Sequence, residues 1–354
     1  MPGLNLRARG QRVGPLGTIR TFVSVLREMS FDQVREEAEL VPRLLILAPD
    51  EETAGRLGEA LTGPEGTKAV TAKALDAQLR ELGRFDAVVV LDPERTGAAA
   101  RARERLPTDD GPSPVFSYDG TRPDDAGALE TLRALIAHRL PDRTPAFGRA
   151  FPVWRAAAAK AVVDETAKAN AQFALISNIP AVIPLVGSLA SAGADFLVLT
   201  KNQLMMLFKV AAIHGRDLHD QWGLMREMVP VVGAGLFWRT IAREAASFIP
   251  LAAGTIPKVV IAYAGTLSAG RAADFYYRTG HQASRDQVEG FYRQAAEAVK
   301  KLPLPIPGQN GERPSGDGAK LGRNVEGSED GKPPVARETV GGAAERGEES
   351  PSTA

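Results

Sequence analysis

The chain has no cysteine. That excludes a disulfide framework, a thiolate metal site and a cysteine nucleophile. Only four histidines occur in 354 residues, so imidazole chemistry has few candidates. Aromatic side chains are scarce at 6%, and neither sign of charge is in excess, with 43 basic and 43 acidic residues. That balance excludes a nucleic-acid binder working by bulk charge. No apolar run of leader type follows the basic N-terminus, so no signal peptide is expected. Neither a G-x-S-x-G elbow nor an H-E-x-x-H pair is present.

Clean membrane-spanning runs are lacking too, although two stretches come close. Between Lys168 and Lys201 lie 32 residues with a single charge, Asp195, interrupted by Asn178, Pro180 and Pro184. Ala245–Gly270 holds 26 residues with a single charge, Lys258, broken by Pro250, Gly254 and Pro257. A span needs about 20 consecutive apolar residues. Both stretches are long enough, and both are punctuated.

What is present falls into four regions. Residues 1–40 begin as a basic arm, with Arg7, Arg9, Arg12, Arg20 and Arg27 and no acid before residue 28. Ile19, Phe22, Val23, Leu26, Met29, Val34 and Ala38 then give one apolar stripe at helical spacing. The favoured expectation is a helix docked on the following domain. The alternative is a basic amphipathic helix on an anionic membrane surface.

Residues 41–145 alternate strand and helix signals. Arg43–Ala48, Phe85–Leu91 and Pro114–Tyr118 read as strands. Thr53–Leu61, Ala74–Leu82 and Asp124–Leu140 read as helices, the last through Leu129, Leu132, Leu135, Ile136 and Leu140. This order predicts a small, parallel, doubly wound sheet.

Residues 150–301 read as all-helical, with apolar stretches 173–199 and 245–270. Pro152 opens one helix, Pro184 a second that runs to Gly215, and Pro257 a third that runs to Gly280. Ser284 with Gln287 predicts a capping box for a last helix to Lys301. Residues 302–354, with ten glycines, seven prolines and no aromatic, are expected to be a disordered tail.

An α/β domain of this size invites a nucleotide, and its residues argue against one. After the first strand the chain reads APDEETAGRL, with no lysine, and Asp50, Glu51 and Glu52 would repel a triphosphate. Gly63 and Gly66 precede Thr67-Lys68 in the wrong order. No G-x-G-x-x-G follows a strand. A phosphoacceptor template fits loosely through Asp50, Glu51, Asp92 and Ser117, but its lysine is missing.

In the helical region Ser188, Asp195, Asn202 and Lys209 recur every seven residues, with Ser191 beside them. This polar seam either meets water or faces a bundle interior, where Asp195 would need Lys209 or Arg271 as a partner. Gly265, Ala269 and Ala273 form a small-residue ladder, which could bring a second copy close. LASAGADF (189–196) and LSAGRAADF (267–275) resemble each other. His214 and His219, with Asp217 and Asp220, are spaced for a helix C-terminus with an imidazole near the last carbonyls, rather than for a metal.

The stretches ALISNIPAVIPLVGSLASAGADFLVLTKNQLMMLFKVAAIHGRDL, VPVVGAGLFWRTIAREAASFIP and IAYAGTLSAGRAADFYYRTGH, within about residues 155–282, resemble the YcjF-type domain of unknown function. That domain is found beside Era-like GTPases in bacteria. The α/β region is similar in layout to such a GTPase, with LLILAPDEETAGRL at the P-loop position and AVVVLD at the metal-binding strand. It departs from the pattern at every nucleotide-binding residue, and the TKNQ stretch lacks the guanine-reading aspartate. The resemblance therefore implies a degenerate GTPase-like module and a membrane-linked helical domain, with no catalytic residue to carry over.

The resulting expectation is an α/β plus all-α protein without enzymatic activity. No catalytic, cofactor-binding or metal-ligating residue is assigned, and no cofactor. The helical domain is expected to dock on or insert into the cytoplasmic membrane of a bacterium, with the α/β domain on the cytoplasmic side. Its partners would be membrane lipid, a membrane protein or a second copy, and not nucleic acid. The alternatives are a nucleotide- or phospho-regulated switch in the α/β domain and a soluble helical scaffold.

Overall fold

The computed structural model describes residues 31–107, 111–176, 188–221, 223, 224, 226–228 and 255–299, with backbone alone at 188–197 and 255–258. The chain divides after Ile306, and all the described residues precede that point. Residues 1–30 of the expected arm and helix, residues 177–187 of the first apolar stretch, residues 245–254 of the second, and the expected tail lie outside the described residues.

Four strands form one parallel sheet in the order β2-β1-β3-β4: β1 (Leu44–Ala48), β2 (Val70–Ala74), β3 (Ala87–Leu91) and β4 (Val115–Tyr118). Every residue of β1 and β3 is buried. Such unbroken apolar strands suit the centre of a parallel sheet covered on both faces. On one face Leu44, Ile46, Val89 and Phe116 pack with α2 (Glu51–Thr62) and α4 (Ala126–Arg139). On the other, Leu45, Leu47, Val88 and Val90 pack with α3 (Ala98–Arg105).

Two elements correct the sequence reading. The expected helix at 74–82 is instead the end of β2 followed by turns, and β2 itself went unread. Its Val-Thr-Ala-Lys-Ala is only half-buried, so no apolar period marks it. Pairing with β1 decides it, in register from Leu44 opposite Val70 to Ala48 opposite Ala74. The turns that follow are held by Arg105, whose guanidinium donates to the carbonyls of Leu75 and Ala77.

The chain leaves the sheet through α5 (Thr144–Ala150) and a short 3-10 turn, Pro152–Trp154. Trp154 is fully buried and stacks on Phe147 at 4.8 Å. Its indole N–H donates to Leu61 O at 2.7 Å, closing off the C-terminus of α2. Arg133 takes the same carbonyl and that of Ala60. An aromatic wedge thus joins the sheet to the helical part.

That part holds α6 (Arg155–Ile176), α7 (Ser188–Ile213), α8 (Thr255–Thr279) and α9 (Arg285–Val299). Where residues are described these agree with the expected helices, α8 beginning two residues before Pro257; Pro184, the expected entry to α7, lies outside the described residues. The capping box at the start of α9 is present, with Ser284 N donating to Gln287 Oε1 at 2.8 Å and Gln287 N to Ser284 Oγ at 3.2 Å. Helix α1 (Asp32–Glu39) buries Val34 and Ala38 against α5 and α7, and Phe31 stacks on Phe208 at 4.2 Å. It therefore docks on the helical part, not on the sheet that follows it in sequence.

Candidate functional site

Three places could carry function: the ends of the strands, the interior of the bundle and its end remote from the sheet. At the strand ends both aspartates serve as helix caps. Asp50 is the N-cap of α2 and accepts from Thr53 N at 2.7 Å and Thr53 Oγ1 at 2.9 Å. These bonds hold its carboxyl below the usual range. Asp92 is 5% exposed and accepts four hydrogen bonds, from Thr96 N, Thr96 Oγ1, Gly97 N and Ala98 N, between 2.7 and 3.1 Å. Desolvation alone would raise its pKa, and the four donors together outweigh it, so the net shift is downward.

The consequence is chemical. A helix N-terminus after a parallel strand is where a phosphate would sit. At α3 that place is filled by the Asp92 carboxylate, and at α2 by that of Asp50. Of the remaining members of the phosphoacceptor pattern, Glu51 pairs with Lys73 on β2 at 2.9 Å, and Ser117 lies on the exposed edge of β4. It lines a cleft of about 470 Å³ between α3 and α4 with Arg95, Asp119, Thr131 and Leu135. Arg95, at φ +53°, is the described non-glycine residue in the left-handed region, and it pairs with Asp119 at 3.0 Å. Among the described residues no group of three or more His, Asp or Glu could hold a metal ion.

The bundle interior carries a polar layer that the sequence reading missed in part. Asn170 and Thr266 are fully buried. Asn170 Nδ2 donates to Thr266 Oγ1 at 2.9 Å, Asn202 Nδ2 to Asn170 Oδ1 at 2.8 Å, and Gln203 Nε2 to Thr266 Oγ1 at 3.1 Å. At Asn202, therefore, the polar seam of α7 faces the bundle and not water. The Asp195 side chain lies outside the described residues. Arg271, one of its expected partners, donates to Gln294 Oε1. Asn170 and Thr266 had no visible partner in the sequence, because their contact spans 96 residues.

Of the small-residue ladder, Ala273 is buried within the bundle and a Cβ on Gly265 would meet open space. The close helix approach is at Gly270, where a Cβ would clash with a methyl of Val163 in α6. His214 does end α7, and Gly215 at φ +75° closes it, with Gly215 N bonded to Ala212 O and Arg216 N to Ala211 O. Its imidazole does not go to the last carbonyls. It lies buried 3.0 Å from Asp274 Oδ1 on α8, and Arg278 Nε donates to the other oxygen of Asp274 at 2.9 Å.

These cross-contacts fix helix directions. Gln203 meets Thr266 and His214 meets Asp274, so α7 and α8 run the same way. Asn170 meets Thr266 while Val163 meets Gly270, so α6 runs oppositely. The C-terminus of α6 and the N-termini of α7 and α8 therefore lie at one end of the bundle. The sheet is at the other end, where α6 begins beside Trp154. At the remote end Ile176 is 67% exposed and Val198 38% exposed. Among the described residues no helix is long and apolar enough to cross a membrane.

No protein family, curated protein or solved structure matches the chain in the three comparisons made.

Proposed function

We propose that this protein is a non-enzymatic membrane-docking module. The end of the helical bundle remote from the sheet enters lipid, and the α/β part stands away from the membrane as a binding surface. One observation carries this reading: helix directions bring described residues of both apolar stretches, 173–176, 188–199 and the first turns of α8 from Thr255, to the same end. Residues 177–187, which separate α6 from α7 in the sequence, contain no charge. Residues 229–254, which precede α8 in the sequence, include Pro-Val-Val, Leu-Phe-Trp and Phe-Ile-Pro-Leu beside the charges Arg239, Arg243 and Glu244. The large exposed side chains Ile176 and Val198 border that end of the bundle. An apolar end rimmed by polar surface is the arrangement expected of a membrane or partner contact. The capped strand ends support the non-enzymatic half of the reading, since neither helix N-terminus is left open to a phosphate.

The test is co-flotation of the full-length protein with lipid vesicles. Wild type is expected at the top of the gradient. The triple variant Ile176→Asp, Leu189→Asp, Val198→Asp is expected in the soluble fraction with its circular dichroism unchanged. Wild-type protein that stays at the bottom with every vesicle composition refutes the proposal.

A further inference from the structure

The sheet ends on one side in a strand whose outer backbone groups are open. Strand β4 pairs with β3 alone. Val88 N donates to Pro114 O at 2.8 Å, and Asp92 N to Tyr118 O at 2.9 Å. Backbone groups alternate sides along a strand, so Val115, Ser117 and Asp119 turn theirs away from β3. Arg103 agrees with that direction, since its guanidinium donates to Val115 O at 3.5 Å from the open side. Among the described residues nothing bonds to the amide or the carbonyl of Ser117.

This edge is the floor of the cleft of about 470 Å³ between α3 and α4. Ligand sites usually span roughly 300–1,000 Å³. The two walls differ in chemistry. The α4 wall is apolar, with Ala128, Leu132 and Leu135, and Leu135 is 42% exposed. The α3 wall carries Ala99, and one turn further on Arg103 reaches the start of β4. Arg103 is exposed and forms no ion pair among the described residues. The other charges of the cleft are already met. Arg95 pairs with Asp119 at the opposite end, and Asp92 is held by its four donors at α3.

We propose that β4 is a strand-addition site, and that its ligand is an extended peptide of a protein partner in which apolar and acidic residues alternate. The peptide lies beside β4 as a fifth strand and bonds to Ser117 N and O. Successive side chains of a strand point to opposite faces. One set therefore meets Ala128, Leu132 and Leu135, and the other meets Arg103. In such sites main-chain bonds supply affinity and alternate side chains supply specificity. A single strand fits because the floor lies between two helices. A second sheet edge, flanked by its own helices, would strike α3 and α4 before its strand reached β4. The inference rests on the binding-surface half of the reading above, to which it gives a place and a ligand class, and it does not depend on lipid.

The test uses full-length protein without lipid. Its probe is a fluorescein-labelled peptide of alternating valine and glutamate, about six residues long like an ordinary strand, followed by anisotropy at low salt. This peptide is expected to bind, and its valine–lysine counterpart to bind about fivefold more weakly. Arg103→Glu should reverse that preference. Ser117→Pro removes an outward N–H and no bond to β3, so it should weaken binding about fivefold or more, the value of one backbone hydrogen bond. Two further peptides carry N-methyl groups, on every valine amide in one and on every glutamate amide in the other. All valine amides point to one side of a strand and all glutamate amides to the other. One methylated peptide should therefore bind like the parent and the other should not bind. Both are read on the wild-type protein, so no variant's folding enters that result.

Absence of binding by the valine–glutamate peptide overturns the proposal. So do equal affinities for the glutamate and lysine peptides, a preference that Arg103→Glu leaves unchanged, and equal effects of the two methylation patterns. A dimer of the full-length protein that Ser117→Pro converts to monomer assigns the edge to a second copy and overturns it too. In all of these outcomes co-flotation with vesicles still decides the membrane reading, and failure of flotation leaves the peptide site standing.

Discussion

Replacing Asp92 separates a structural carboxylate from a reactive one. The side chain is 5% exposed and accepts from three consecutive amides and a hydroxyl. Alanine removes every acceptor at once. A hydrogen bond contributes about 1 kcal/mol net. Water can replace the partners of Thr96 more readily than that of the buried Ala98 amide. The expected cost is about 2–3 kcal/mol, at or slightly above the upper end measured for helix N-caps. Asparagine keeps the shape and one acceptor oxygen but turns an NH₂ toward amide donors, so about 1–2 kcal/mol is expected.

The assay is urea unfolding of the full-length protein followed by far-ultraviolet circular dichroism. The pH dependence adds a sign. The folded pKa of Asp92 lies below its ordinary 3.8. Its contribution is therefore complete above about pH 4 and is lost as pH falls through the folded value. The gap in stability between wild type and Asp92→Ala should be the same at pH 7 and pH 5 and should shrink below pH 4. An Asp92→Asn protein as stable as wild type at pH 7 would refute the capping role, as would a gap that widens on acidification. A phosphoacceptor aspartate should behave in that opposite way, with asparagine neutral for stability.

Other expectations follow from the packing. Trp154→Ala should lower stability by about 3–5 kcal/mol, because it empties a buried aromatic site and leaves Leu61 O without its indole donor; a midpoint within error of wild type in urea would count against the wedge. In a double-mutant cycle, Asn170→Ala and Thr266→Val should be non-additive by about 1 kcal/mol or more, since the two side chains share one hydrogen bond. Gly270→Ala should cost about 1–3 kcal/mol through its clash with Val163. Gly265→Ala meets nothing and should stabilise α8 by up to about 1 kcal/mol. Thermal unfolding of the two glycine variants, side by side, checks the direction of each.

The local elements were readable because their signals are local. Leu-Leu-Ile-Leu-Ala and Ala-Val-Val-Val-Leu are short apolar runs ended by Pro49-Asp50 and Asp92-Pro93, and they became the two central strands. Pro152 and Pro257 near the helix starts, Gly215 and Gly280 past the ends, and the Ser284–Gln287 box marked the long helices for equally local reasons. Strand β2 was not readable, since a half-buried five-residue segment acquires its conformation from pairing with β1. The same holds for the destination of α1, which packs on α5 and α7, elements that come more than 100 residues later in the chain.

Residue types in the sequence determined what chemistry was available: no thiol, no phosphate loop, and carboxylates at strand ends. Tertiary structure alone decided how those groups are used. Asp50 and Asp92 stand where a reactive carboxylate could stand, and only the positions of the Thr53, Thr96, Gly97 and Ala98 donors make them caps. Asn170, Asn202 and Thr266 are ordinary polar residues on three separate helices. Long-range packing brings them into one layer, because a polar group removed from water must find its partner wherever in the chain that partner lies.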